Sequence, residues 1–201
     1  TYLDQTCVTE GEWQITLIPP RDFSRERVSA TRVENLDSSG FTGEWTASVE
    51  PGTWIVYAIT TGEMSSTECQ GLVSIESIDV GVDGGTIDSE FAIGGNLDLD
   101  TKWLDFQGVE KELQDLDALP DPPDYDLFIE IGNLAWLEEL DSEGHLRMLL
   151  PAGLIQASSK FVLPEGGRNV TYSGGKGFTI RSGQESPIVT LNIERESKQD
   201  I

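Results

Sequence analysis

The residues of this chain that could do chemistry are one histidine and two acidic runs. His145 lies in "LDSEGHLRMLL", where alternation sets it opposite Leu146 and Met148 and so toward solvent. A Ser-His-Asp arrangement needs that imidazole buried beside a serine, so acyl-transfer chemistry is not expected and the chain reads as no enzyme. The run "DLDALPDPPDYD" brings Asp115, Asp117, Asp121, Asp124 and Asp126 into one loop, the oxygen-rich setting that a hard cation such as calcium takes. A solvated acidic loop is the competing reading of such a run and the favoured one. The second run, "DVGVDGGTIDSE", puts Asp79, Asp83, Gly84 and Glu90 at positions 1, 5, 6 and 12 of an EF-hand-like loop, but Gly81 stands at position 3 and the flanks read as strands. That pattern is better explained by a Gly-Gly hairpin turn. Lys176 in "SGGKG" is followed by Gly177 rather than a hydroxyl residue, so no phosphate-cradling loop is present. No cofactor is expected beyond the calcium weighed for the acidic loop.

Three further residues bear on modification. Cys7 and Cys69 are not part of a C-x-x-C pair, so a thiolate metal site is not indicated. A disulfide between them is favoured over two buried free thiols; it would close a loop of about 60 residues and stabilise by roughly 4 kcal/mol. Asn169 in "RNVTY" is a glycosylation sequon between two Gly-rich turns.

Charge narrows the partners. The 201 residues include 36 acidic against 13 basic, a net charge of −23, which repels nucleic acid and anionic membrane surfaces. The imbalance is local: 15 acids stand against Lys102 and Lys111 between Asp98 and Glu143, whereas 5 acids face 7 bases from Gly144 onward. There is neither an 18-residue apolar stretch nor a leader pattern at Thr1, so direct membrane insertion is not expected and the chain reads as a mature or excised piece.

The elements that must position these residues are strands. "GEWTASVEPGTWIVYA" from Gly43 and "GHLRMLLPAGLIQASS" from Gly144 share one skeleton: Gly, an alternating run, a turn with Pro and Gly, then a second alternating run. In the first copy Trp45, Ala47 and Val49 alternate before the turn and Trp54, Val56 and Ala58 after it; in the second Leu146, Met148 and Leu150 precede Ile155 and Ala157. Period two marks half-buried strands and Pro with Gly marks a reversal, so each copy is expected to be a β-hairpin. Gly43 and Gly52, like Gly144 and Gly153, are nine residues apart. A repeat period of about 100 residues suits tandem sandwich domains. The boundary falls at "IGGN", giving modules 1–94 and 95–201, the second with an acidic insertion near 107–126 that reads as a loop with one helical turn.

The pattern "LDSEGHLRMLLPAGLIQAS", with its Gly-rich turn and the closing strand "PIVTLNIE", resembles the carboxypeptidase regulatory-like modules, also called prealbumin-like or transthyretin-like. It is also similar to the B-type repeats of bacterial and archaeal surface adhesins. The resemblance implies an all-β chain of two tandem immunoglobulin-like (prealbumin-like) β-sandwich domains. It further implies a non-catalytic structural or assembly role, as spacer, stalk or subunit contact, in an extracellular or cell-surface multidomain protein. The partners would be neighbouring domains or subunits of the same assembly. Some B-type repeats join a first-strand Lys to a last-strand Asn; Lys102 and Asn192 occupy matching strands here, but "LIQASSKF" lacks the acid that such a crosslink needs. The alternative function is a glycan- or protein-binding accessory module of a secreted enzyme, with Trp13, Trp103 and Trp136 as a stacking platform if they face out.

Overall fold

The computed structural model describes residues 12–20, 25–32, 44–61, 71–119, 121–141, 144–184 and 188–196. Among them there are strands, turns and one 3₁₀ turn, Leu113–Ala118, and no α-helix, so the chain is all-β. It divides into two compact units. The first is Thr1–Gly95 with Leu149–Ala152 and Arg181–Gln184; the second is Asn96–Met148 with Gly153–Ile180 and Glu185–Ile201.

The first unit is built on a five-stranded sheet in the order β2-β1-β5-β6-β7, from β1 (Glu12–Ile18), β2 (Val28–Ser29), β5 (Gly52–Thr61), β6 (Leu72–Val80) and β7 (Ala92–Ile93). A two-stranded sheet pairs β3 (Thr31–Arg32) with β4 (Trp45–Thr46). Alternation places Trp54, Val56 and Ala58 of β5 on one face, and all three are buried together with Ile18, Leu72 and Val73. The Trp54 indole N–H donates to the Glu50 carbonyl at 2.9 Å, so the large ring is buried with its polar atom satisfied. After β6 the chain reverses between Gly81 and Gly84, whose N–H and C=O groups bond to each other at 3.1 and 3.2 Å. Gly84 takes φ +95°, a conformation that favours glycine. "DVGVDGG" is therefore a tight turn, and Asp79 accepts a 2.6 Å hydrogen bond from Thr53 Oγ1.

The second unit contains an eight-stranded, sandwich-like sheet system in the order β11-β10-β13-β14-β15-β8-β12, with β9 also on β8. Its strands are β8 (Gly95–Leu104), β9 (Glu110–Glu112), β10 (Tyr125–Ile131), β11 (Leu134–Glu138), β12 (His145–Leu150), β13 (Gly153–Glu165), β14 (Arg168–Ile180) and β15 (Val189–Arg195). β14 pairs in register with β15 at Tyr172↔Arg195 and Ser173↔Glu194. At this corner a Cβ on Gly174 would lie 2.2 Å from the Asn192 carbonyl oxygen, so only glycine lets the two strands meet. The core alternates as period two demands: Leu97, Leu99, Thr101 and Trp103 from β8, Ile155, Ala157, Ser159, Phe161 and Leu163 from β13, and Leu191 and Ile193 from β15 are buried. At its centre Phe161 and Tyr172 stack at 5.0 Å, and Trp103 meets both edge-on at 5.6 Å.

The two copies of the shared skeleton are not hairpins. β4 pairs with β3 while β5 pairs with β1 and β6; likewise β12 lies beside β8 while β13 pairs with β10 and β14. Each turn therefore carries the chain from one set of strands to another, an arch rather than a reversal within a ladder. The glycine that closes each turn explains the repeat: Gly52 has φ +141° and Gly153 φ +152°, nearly the same side of the map and costly for any residue with a Cβ.

Candidate functional site

The outward face of β8 and β12 gathers the polar chemistry of the second unit. Residues of β8 alternate buried and half-buried from Leu97 to Trp103, which turns Asp98, Asp100 and Lys102 outward. On the adjacent strand β12, His145 and Arg147 share that face. His145 Nδ1 lies 2.7 Å from Asp98 Oδ1, and this hydrogen bond is the main reason the imidazole is held above its usual pKa. Arg147 reaches Asp98 at 3.6 Å and Asp141 at 3.0 Å.

The turn before β12 is fixed by Asp141. Its carboxylate accepts the His145 N–H at 3.0 Å, its own N–H donates to the His145 carbonyl at 2.7 Å, and Gly144, at φ +83°, donates to its carbonyl at 3.0 Å. Asp105 does the same after β8: its carboxylate accepts from Val109 N–H at 2.9 Å, its N–H donates to the Val109 carbonyl at 3.0 Å, and Gly108 takes φ +76°. The backbone donor of Val109 is the main cause of the lowered Asp105 pKa. Both are Asp-x-x-Gly turns, a spacing visible in the sequence.

Lys102 and Asn192 are direct partners in the ladder between β8 and β15. Lys102 Nζ is held instead by Glu110 at 3.3 Å, Glu112 at 3.6 Å and Asp100 at 3.7 Å. The hydrogen bond to Glu110 raises its pKa first, then Asp100 and Glu112, which keeps the amine an ammonium without a free electron pair. Asn192 is exposed. The face thus holds an ion-paired lysine where a crosslink would need a neutral, buried one.

The acidic segment is organised around leucines. In a 3₁₀ turn residues three apart share a face, and Leu113 and Leu116 are both fully buried. Asp115 turns back to accept the Glu112 N–H at 3.1 Å, while Asp117, Asp121 and Asp124 are exposed. Asp126 belongs to β10, where burial and then Asp124 raise its pKa. Among the described residues no group of three or more His, Cys, Asp or Glu side chains is placed to hold a metal ion, so the five aspartates are not gathered into a calcium cage. The segment docks a leucine pair on the core and leaves Asp117, Asp121 and Asp124 to water.

The stacking platform is also not formed. Trp103 and Trp136 are 4% and 0% exposed, with their indole N–H groups donating to the Glu112 carbonyl at 3.0 Å and to Glu138 at 2.6 Å. Both rings belong to the core, where burial of their large apolar area outweighs any gain from an exposed stacking face. Trp13 is half-buried against Phe91 at 4.6 Å and Trp45 at 6.2 Å. Asn169 is exposed two residues beyond the Gly166–Gly167 turn. Cys7 and Cys69 lie outside the described residues. The side-chain partners of His145 and Lys102 on neighbouring strands (Asp98, Glu110 and Glu112) carried no sequence signal of their own, because strand adjacency brings them together.

No family model and no curated protein matches the chain. Among solved structures it is similar to a leucine-rich repeat protein from Bacteroides thetaiotaomicron VPI-5482, at 9% identity and a TM-score of 0.35 over 95% of this chain. The chain spans a quarter of that protein's length. A likeness at that level carries no argument about fold or activity.

Proposed function

We propose that the chain is a non-catalytic structural module of an extracellular or cell-surface multidomain protein, composed of two immunoglobulin-like, prealbumin-like sandwiches in tandem. The observation that carries this reading is the pair of arches: the same skeleton, about 100 residues apart, closes on a glycine of nearly the same φ in each unit. A local skeleton shared by two units is what duplication of a spacer would leave. The polar face of the second unit fits the same role, since its histidine, lysine and arginine are engaged with carboxylates of their own unit. The partners are neighbouring domains or subunits of the same assembly.

Intact mass of the protein from its native source, before and after reduction with thiol alkylation, tests the surface assignment. A glycan increment at Asn169 and two thiols alkylated only after reduction are expected. An unmodified mass with freely alkylated Cys7 and Cys69 would remove the exported role.

A further inference from the structure

We infer that the second unit is a tension-resisting element whose clamp is the parallel ladder between its first and last strands, β8 and β15. The inference rests on the structural role proposed above and adds the direction in which the load runs. The chain enters the unit along β8 and leaves it along β15, and the two strands lie side by side, parallel, in register from Val189↔Leu99 to Ile193↔Trp103.

This arrangement decides how force is shared. Pulling the start of β8 away from the end of β15 drives the two strands past each other along their own axes. Every hydrogen bond of the ladder is then strained at once, and none can open before the others. A hairpin pulled at its adjacent ends opens one pair at a time, and each step needs only the force of that pair.

Burial strengthens the clamp. Leu99, Thr101 and Trp103 of β8 and Leu191 and Ile193 of β15 are at most 4% exposed, so water reaches the strained bonds from one side only. Sliding would also drag these side chains out of the core. The exit of β15 is stitched a second time: Arg195 pairs with Glu165 at 3.3 Å, and Glu196 N–H donates to the Thr171 carbonyl at 2.9 Å. On β8, Lys102 binds Glu110 and Glu112 of β9.

The first unit lacks this device among its described residues. Its sheet runs β2-β1-β5-β6-β7, so β1 and β7 are separated by two strands, and all its pairings are antiparallel.

The test is single-molecule stretching of the full chain with attachment handles at exposed positions. In one geometry the handles sit at Asn96 and Glu196, which loads the clamp in shear. In the other they sit at Leu154 and Thr179, opposite each other in the β13–β14 hairpin, which opens it pair by pair. At equal loading rate the first geometry is expected to unfold at a force about twofold or more above the second, since forced unfolding reports the barrier along the pulled direction. Its length gain should be about 350 Å, from ~3.5 Å per residue. Refolding of the same molecule on relaxation shows that the handles leave the fold intact. Equal forces in the two geometries, or a stronger hairpin, overturn the clamp. The intact-mass result is independent of this outcome, so a failed clamp leaves the surface role standing and a failed surface role leaves the clamp measurable.

Discussion

The first and second units share an arch and differ in how their sheets end. In both, a strand leaves one set of partners, turns at a glycine of φ between +141° and +152°, and joins another. In the second unit the last strand returns beside the first; among the described residues of the first unit it does not. The arch is thus the shared internal plan, while terminal pairing is a separate feature laid over it. Local skeleton and global closure are different properties, and a repeat in sequence speaks only for the former.

Removing the core of each unit should separate them most strongly. Trp54→Ala in the first unit and Trp136→Ala in the second each delete a ring that is at most 2% exposed, and each is expected to cost about 3–5 kcal/mol. Tryptophan-independent amide exchange, read unit by unit, should show the loss confined to the altered unit. A uniform loss would mean that the units do not respond separately.

Gly174→Ala attacks what only the second unit has, the corner where β14 meets β15. The new methyl would meet the Asn192 carbonyl at 2.2 Å, and backbone must move, at a cost of about 1–3 kcal/mol by denaturant titration. Gly52→Ala and Gly153→Ala probe what the units share. Each should lose about 1–3 kcal/mol through backbone strain. A Cβ on Gly153 meets nothing within 4 Å, whereas one on Gly52 meets the Arg25 guanidinium at 2.7 Å, a flexible group able to move aside. Equal losses at the two positions support a common arch; an unaffected Gly153→Ala would break the equivalence.

The smallest effect lies at His145. Its folded pKa is raised by the Asp98 carboxylate, so its contribution to stability is complete below the unfolded imidazole value and fades as pH rises through the folded one. An NMR titration should place His145 above the ordinary value, and Asp98→Asn should return it toward that value. Titration unchanged by Asp98→Asn would show that the hydrogen bond does not govern the ring.

Much of this was legible in the residues, and the rest failed for identifiable reasons. Alternation fixed which side chains of β13 face inward, because burial of one face is what period two records, whereas in β5 Ile55 is buried on the opposite face from Trp54 and Val56. It did not fix their partners: a run such as "GTWIVYA" reads the same whether its neighbour is the preceding strand or a distant one, so two arches looked like two hairpins. "LQDL" carries the three-residue spacing that buries Leu113 and Leu116, yet the surrounding aspartates dominate the segment, which read as a solvated acidic loop with calcium as the alternative. Trp103 and Trp136 were open to either face until the strands around them were placed. In the Asp-x-x-Gly turns donor and acceptor lie within five residues, whereas the 47 residues between Asp98 and His145 are bridged only by topology.

The engagement of Lys102, Lys111 and Arg147 with nearby carboxylates has a consequence for the solvent around the molecule. Pairing at short range leaves the net charge of −23, in which every basic residue is already counted, unchanged at long range. Self-repulsion of that kind is felt over a Debye length of ~30 Å in dilute buffer and ~8 Å at physiological ionic strength. Salt should therefore weaken this self-repulsion, so the chain is expected to gain stability as ionic strength rises.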